Sequence, residues 1–331
     1  MPIIIGLSME SIMSRYWVSA LVLISAFLAS HSAAATSYYQ GTMGDHREIT
    51  MTLEETAGQY RYSQFGPPIG LKIDGTHEGE MRIAEKGGEF RGTVNTTTDF
   101  EGTWKSKDGK RSLPFNLEHI AESAEFMTKE PRFSVRYVFP QFLNTTPFYF
   151  AINTALSNDA RSSVKAASAD FRESVKDVDT ASFPWESDTS VEILHVDEQM
   201  VSLLFTNYVD SGGAHGNTSY RAVTYIWQDN KLVELKPNEM IGAKADQTAI
   251  RLLIVAELKR RHANWADSVG DAKEMKFADM VINPTSNGLI FTFAPYEVDS
   301  YAGGTYCLAI PYKSLKEMIP AESALYRLAS K

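Results

Sequence analysis

Seven short segments in the first third of the chain, between residues 38 and 118, alternate polar and apolar residues. This period of two is typical of strands with one buried face. Turns rich in Gly, Asn and Asp separate the segments. Short strands at this spacing predict a small antiparallel sheet, sandwich or barrel. The predicted strands are Glu48–Leu53, Tyr60–Phe65, Leu71–Asp74, Gly79–Ala84, Glu89–Val94, Phe100–Trp104 and Ser112–Glu118.

The length of the chain and a change in its pattern predict two domains. A chain of 331 residues is long enough for two. The segment Ala121–Pro131 is charged and aperiodic, so we interpret it as a linker. We therefore expect a β-rich domain over residues 36–120 and a second domain over residues 130–320.

Strands and helices mix without strict alternation after this segment, which predicts an α+β domain with an antiparallel sheet and two main helices. The longer predicted helix runs from Thr145 to about Lys176, and the second covers Lys244–Arg261. We expect two late strands, Leu289–Phe293 and Tyr306–Ile310, to close the sheet. The other predicted elements are strands at Arg132–Phe139, Val191–Val196, Met200–Val209 and Ser219–Trp227 and a short helix at Ser314–Met318.

The first 35 residues have the layout of a secretory signal. An apolar run from Tyr16 to Leu28 is followed by small residues that end in Ala33-Ala34-Ala35. We expect cleavage after Ala35 and a true start at Met13, which gives a short basic beginning. An uncleaved anchor helix is the alternative, although the run is shorter than the roughly 20 residues of a membrane span. The predicted product is a periplasmic protein with no membrane span after signal cleavage.

Charge and cysteine content restrict the partners of the chain. With 32 basic and 41 acidic side chains, the formal net charge is −9. Nucleic acid is not an expected partner, because phosphate binding needs a basic face. One cysteine excludes an internal disulfide framework and a cysteine-cluster metal site. Cys307 alternates with its neighbours in a predicted strand, so we interpret it as a buried small apolar residue.

A glycine-rich loop with one histidine lies between two predicted strands. Its residues are Asp210-Ser211-Gly212-Gly213-Ala214-His215-Gly216-Asn217. Glycines allow positive φ and close backbone approach, which suits a binding loop, but also a turn whose histidine bonds to backbone. A serine nucleophile would need a base and an oxyanion site, and Gly-x-Ser-x-Gly is absent. A metal site would need further ligands, and neither His-x-His nor His-Glu-x-x-His occurs. We therefore assign no catalytic residue, metal ligand or cofactor.

A second loop, from Pro295 to Gly304, contains two tyrosines, two acids and two glycines. Tyrosine offers a flat apolar face with a polar tip, which suits the wall of a sugar or protein site. A turn with core tyrosines is the alternative. The predicted ligand-binding residues of the two loops are Ser211, Gly212, Gly213, His215, Tyr296, Glu297 and Tyr301.

Several segments in fixed order resemble one family. They are Phe-Pro-Gln-Phe near residue 139, Ser-Gly-Gly-Ala-His-Gly at 211–216, and Gly-Leu-Ile-Phe-Thr-Phe-Ala-Pro-Tyr-Glu-Val-Asp-Ser-Tyr-Ala-Gly-Gly at 288–304. Residues 130–318 resemble the RsiV-like region, found outside the membrane in the anti-sigma factor RsiV and in the accessory part of the peptidoglycan deacetylase PdaC. The resemblance implies an α+β fold that binds lysozyme or associates with peptidoglycan. No Thr-Phe-Asp-Asp run or His-x-x-x-His pair of a deacetylase occurs in the sequence.

These observations predict an exported binding protein for peptidoglycan or for a wall-cleaving enzyme such as lysozyme. The acidic charge favours a basic protein partner over anionic glycan. One alternative is a peptidoglycan-acting hydrolase that uses His215 with Asp210 or Glu297 as acid–base groups. Another is an immunity-type inhibitor of a secreted toxin.

Overall fold

The computed structural model describes residues 36–64, 66–77, 79–94, 99–176, 184–242, 244–271 and 276–326. The predicted export signal, its cleavage site after Ala35 and the start at Met13 lie outside these residues. None of the helices within these ranges has the length and apolar character to cross a membrane.

The first part of the described chain is a closed barrel of eight antiparallel strands. Each strand pairs with the next in sequence, and β1 pairs with β8 to close the ring. The seven strands predicted from the alternating pattern are all present, although β8 runs twelve residues beyond its predicted end at Glu118, and β1 was not predicted. The strands are β1 (Ser37–Met43), β2 (Arg47–Leu53), β3 (Ala57–Tyr62), β4 (Ile69–His77), β5 (Glu80–Ala84), β6 (Gly88–Val94), β7 (Phe100–Ser106) and β8 (Ser112–Glu130).

Side chains fill the interior of this barrel. An eight-stranded barrel is just wide enough to be filled by inward-facing residues. The aromatic ring of Phe90 packs edge to face against Phe115, with centroids 5.3 Å apart. Gly92 and Gly102 are register partners, and a Cβ on Gly102 would lie 2.0 Å from the Arg91 carbonyl oxygen. The buried core residues are Tyr39, Met43, Ile49, Met51, Leu53, Tyr60, Leu71, Ile83, Phe90, Phe100, Trp104, Phe115 and Leu117.

The segment predicted as a linker is instead regular structure, because β8 runs without interruption to Glu130. Its first half pairs with β1 and β7, and its second half pairs with β9 (Phe133–Phe142). One of the charges that suggested a linker takes part in an ion pair between strands. Arg136 on β9 lies 2.7 Å from Glu125 on β8. Such cross-strand pairs stabilise a half-exposed sheet, so a charged sequence is compatible with a strand.

The second part of the fold continues the sheet beyond the barrel. β9 and β10 (Trp185–Val196) run parallel, and helix α1 (Pro147–Ser174) connects them, as parallel neighbours require. An antiparallel series follows through β11 (Met200–Asp210), β12 (Asn217–Gln228) and β13 (Lys231–Leu235). Helix α1 packs one face on this sheet through residues spaced four apart, including Phe148, Ile152 and Leu156. The long helix and strands β9 to β12 confirm the elements predicted from the sequence, and β13 was not among them.

The two late strands form a separate sheet, so the prediction that they close the main sheet is wrong. β15 lies between β14 and β16, and every residue of β15 is buried. It is covered on one side by helices and on the other by the main sheet, so both of its faces are apolar. The elements are β14 (Val281–Pro284), β15 (Gly288–Phe293), β16 (Tyr306–Pro311), α2 (Pro237–Ile241), α3 (Gln247–Arg260), α4 (Ala266–Gly270) and α5 (Tyr312–Leu315). The α+β class is confirmed.

The barrel contacts the second part directly. The buried Arg61 guanidinium on β3 lies 2.9 Å from the Glu192 carboxylate on β10. The Gln40 side chain donates to the Val196 carbonyl oxygen and accepts from its N–H, at 2.8 and 3.0 Å. Residues 36–331 form one compact unit. The predicted division into domains over 36–120 and 130–320 stays a prediction.

Candidate functional site

The two loops singled out in the sequence meet at one end of the two sheets. Residues 211–216 join β11 to β12, and residues 294–305 join β15 to β16. The Tyr296 hydroxyl lies 3.3 Å from Nε2 of His215, which is 81 residues away in the sequence. The Tyr301 hydroxyl donates to the Gly216 carbonyl oxygen at 3.3 Å. The predicted aromatic residues of both loops therefore lie in one place.

Three rings form the centre of this arrangement, which we call the His–Tyr cluster: His215, Tyr296 and Tyr301. The His215 and Tyr301 rings are stacked, with centroids 3.7 Å apart, and the two tyrosine rings lie 5.7 Å apart. His215 Nδ1 lies 2.9 Å from the Gly216 carbonyl oxygen, so we assign the proton to Nδ1. Nε2 then accepts from Tyr296. All three side chains are exposed, Tyr296 by 54% and Tyr301 by 37%.

The glycine-rich loop has a defined local structure. Asp210 Oδ1 accepts the N–H of Gly212 at 2.9 Å, and Gly212 has a φ of 83°, which favours glycine. A Cβ on Gly216 would lie 2.3 Å from the ring of Tyr208, so a side chain there would require this ring to move. Ser211 and Gly213 are exposed beside the cluster. The glycines thus bring His215 to the surface with its ring already oriented.

The tyrosine loop holds Tyr296 in a strained backbone conformation. Its φ of 72° lies in the left-handed region, which is uncommon for a bulky residue. A hydrogen bond of 3.0 Å from its N–H to the Asp299 carbonyl oxygen closes the turn. Glu297 accepts the N–H of Ala294 at 2.8 Å, and desolvation raises the pKa of Glu297. Strain of this kind concentrates at functional sites, where surrounding contacts maintain it.

Asp299 organises the tyrosine loop from beneath, a role that was not predicted from the sequence. Its buried carboxylate accepts Asn264 Nδ2 at 2.6 Å, the Tyr306 hydroxyl at 2.8 Å and the N–H of Ser300 at 2.7 Å. The hydrogen bonds from Asn264 and Tyr306 lower the pKa of Asp299 to about 2. Asn264 is 35 residues away in the sequence, so local patterns do not reveal this network.

The contacts of the cluster suit binding better than acid–base chemistry. Across the described ranges, no recorded contact joins the His215 imidazole to Ser211, Asp210 or Glu297. Asp210 and Glu297 instead accept hydrogen bonds from their own loops. Within the same ranges, no group of three or more His, Cys, Asp and Glu side chains is placed to hold a metal ion. Cys307 lies buried in β16. What the cluster offers a partner is exposed ring faces and one hydroxyl–imidazole pair.

Two family models match segments of this chain, and each matched segment contains one of the two loops. Residues 127–218, which contain His215, match the family model described as deacetylase PdaC. Residues 237–313, which contain Tyr296 and Tyr301, match a protein family of unknown function, DUF3298. No match was found among curated proteins.

Two solved structures resemble the chain. A DUF3298 family protein from Pseudomonas aeruginosa PAO1 is 17% identical with a TM-score of 0.40, covering 61% of this chain and 94% of its own. A DUF3298 member from Bacteroides fragilis NCTC 9343 is 11% identical with a TM-score of 0.39, covering 64% of this chain and 98% of its own. The RsiV-like resemblance is confirmed by the two family matches, in which a match to the PdaC model is followed along the chain by a match to the DUF3298 model.

Proposed function

We propose that this protein is exported and uses the His–Tyr cluster to bind a wall-cleaving enzyme of the lysozyme type. The PdaC and DUF3298 matches are consistent with an extracytoplasmic protein associated with the cell wall. The RsiV-like resemblance adds lysozyme and peptidoglycan as the ligand classes to consider. The cluster lies within the two matched regions, whereas the barrel lies outside both.

The observation that carries the proposal is the exposure of three stacked rings contributed by two distant loops. Tyrosine is enriched among the few interface residues that supply most of the binding energy. Two of the rings are held by hydrogen bonds to the neighbouring loop, Tyr296 to His215 and Tyr301 to Gly216. Because these side chains are already ordered, a partner loses little conformational freedom when it binds them.

The charge of the protein favours a protein partner over the glycan. The formal net charge is −9, and removing the predicted signal takes away one charge of each sign, so this value is unchanged. Lysozymes are commonly basic, and opposite fields accelerate association. Peptidoglycan is anionic, so the overall field of this protein opposes its approach.

The proposal is tested by measuring the affinity of the purified protein for a basic lysozyme. Interferometry at low and at physiological salt provides this measurement. Tyr296→Ala removes a ring and its hydroxyl from the cluster, and we expect about 30-fold weaker binding, the equivalent of about 2 kcal/mol at a hot spot. Tyr326→Ala is the matched control, because Tyr326 is a tyrosine with 41% exposure elsewhere on the surface. Its affinity should equal that of the unchanged protein.

Sedimentation with purified sacculi separates the glycan from the enzyme as ligand. Retention on sacculi without lysozyme binding would indicate that the ligand of the cluster is peptidoglycan and not the enzyme. Retention on neither at low salt would refute both forms of the proposal. Release of wall fragments that stops in His215→Ala would instead support a hydrolase. Loss of lysozyme activity on complex formation would support an inhibitor of the immunity type.

A further inference from the structure

A groove between α1 and the second half of β8 has a basic wall and an aromatic floor. Arg161, Lys165, Ser168 and Arg172 line it from the helix. Their spacing of four, three and four residues places them in one stripe along a single helix face. Phe126, Met127 and Thr128 line the groove from β8, and its volume is about 250 Å³. In an acidic protein, this concentration of cations is a local exception.

Aromatic rings hold two of the cations in place. The Arg161 guanidinium lies over the ring of Phe126, 4.9 Å from its centroid. The Arg172 guanidinium lies 5.7 Å from the centroid of Phe133 and forms an ion pair of 2.7 Å with Glu130. A guanidinium over a ring keeps its N–H groups available in its own plane. The charged wall of the groove is therefore preorganised.

Some polar groups in the groove lack partners among the residues that the structure describes. Ser168 is only 2% exposed, and its hydroxyl has no hydrogen-bond partner among the described residues. An unsatisfied buried hydroxyl is unfavourable unless a ligand or water supplies the missing bond. Among the described residues, no carboxylate is recorded within ion-pair distance of Arg161 or Lys165. The groove thus combines two unneutralised cations with a hydroxyl that needs a partner.

We propose that this groove binds the free carboxylate of a small ligand, such as the C-terminus of a short peptide. A planar guanidinium matches a carboxylate through two parallel hydrogen bonds. Lys165 adds a second charge, and Ser168 donates a third hydrogen bond from the buried wall. Phe126 and the half-exposed Met127 supply apolar contact for a small side chain next to the carboxylate. A volume of this size admits one or two small residues next to the carboxylate.

Titration with acetyl-alanyl-alanine, monitored by amide chemical shifts, tests this site in the full protein. We expect saturable shifts confined to α1 and the second half of β8. The same dipeptide with an amidated C-terminus should bind at least 10-fold more weakly, because it lacks the charge. Equal affinity for acid and amide would overturn the proposal. So would affinity for inorganic phosphate that matches the dipeptide, which would indicate a general anion site.

Substitutions locate the binding in the groove. Arg161→Gln should weaken the affinity for the dipeptide about 10-fold, and Ser168→Ala should weaken it about threefold. The circular dichroism spectrum of both variants should be unchanged. Lys231→Gln is the matched control, since it removes one exposed charge from a strand that does not line the groove, and its affinity should be unchanged. Unchanged affinity in both Arg161→Gln and Ser168→Ala would refute the site. Lysozyme binding through the His–Tyr cluster should be unaffected in every variant, so failure of one proposal leaves the other standing.

Discussion

The barrel and the His–Tyr cluster use aromatic residues in opposite ways. Tyr60 in the barrel is 2% exposed, whereas Tyr296 in the cluster is 54% exposed. Phe90 and Phe115 meet edge to face in the filled interior of the barrel, whereas His215 and Tyr301 are stacked at the surface with backbone strain beside them. The same residue type thus stabilises the fold in one region and is available to a partner in the other. Changes in the barrel should alter stability alone, and changes in the cluster should alter binding.

Phe90→Ala should give the largest loss of stability. Phe90 is fully buried in the barrel, so its truncation should cost about 3–5 kcal/mol through lost burial and the remaining cavity. Urea unfolding measures the change, with Phe150→Ala as control, since Phe150 on α1 is 71% exposed. At temperatures where Phe90→Ala is folded, its affinity for lysozyme should be unchanged. A large loss of affinity in the folded variant would contradict the assignment of stability to the barrel and of binding to the cluster.

Glu192→Gln tests the connection between the barrel and the second part. The substitution leaves the buried Arg61 without its charged partner, and we expect a loss of about 3 kcal/mol. The double variant Arg61→Met with Glu192→Leu should recover most of this loss, because it removes both charges. The free energy of unfolding of the single and double variants is measured by urea denaturation. A double variant as unstable as Glu192→Gln would contradict the assignment of the cost to an unpaired charge.

Gly216→Ala should have a smaller effect on stability and a visible effect on the cluster. The added methyl group would meet the Tyr208 ring, and relief of this clash should cost about 1–3 kcal/mol. Because Gly216 accepts hydrogen bonds from both His215 and Tyr301, the ring stacking should change as well. Chemical shifts of the His215 ring report this, and Gly70→Ala, whose added methyl group would meet nothing within 4 Å, is the control.

The smallest expected effect is a pH dependence at Asp299. Its pKa of about 2 lies below the value of about 3.9 for an unfolded chain, so its charge stabilises the fold above that pH. This contribution is lost as the pH falls from about 4 through about 2. Asp299→Asn should therefore lower the thermal midpoint at pH 7 and match the unchanged protein near pH 2. Asp170→Asn, which removes an exposed carboxylate from α1, is the control for the change in net charge.

Local pattern was sufficient to predict most strands, because period-two alternation and glycine turns act within a few residues. It did not reveal closure of the barrel, since β1 meets β8 about 80 residues later in the chain. The linker prediction failed because charges such as Glu125 are neutralised by a partner on another strand. The separate sheet around β15 could not be distinguished from an extension of the main sheet, because apolar strands look alike in sequence.

The candidate site was predicted in part. Glycine and tyrosine content identified both loops, and the resemblance included both, but whether they lie in one place could not be predicted from the sequence. Their role in ligand binding stays a prediction. The Asp299–Asn264 network and the φ of Tyr296 were missed, because each depends on contacts across the fold or on backbone geometry. Residue types in a loop thus indicated where to look, and the supporting contacts required the structure.

The continuous strand β8 has a consequence for dividing this protein into fragments. Its 19 residues belong to the barrel at one end and to the mixed sheet at the other. A fragment that ends near residue 125 would carry half of this strand, and the complementary fragment would carry the other half. Each would expose a row of unpaired N–H and C=O groups beside apolar side chains, which is a template for edge-to-edge aggregation. Proteolysis or truncation at this point should therefore yield insoluble material from both halves.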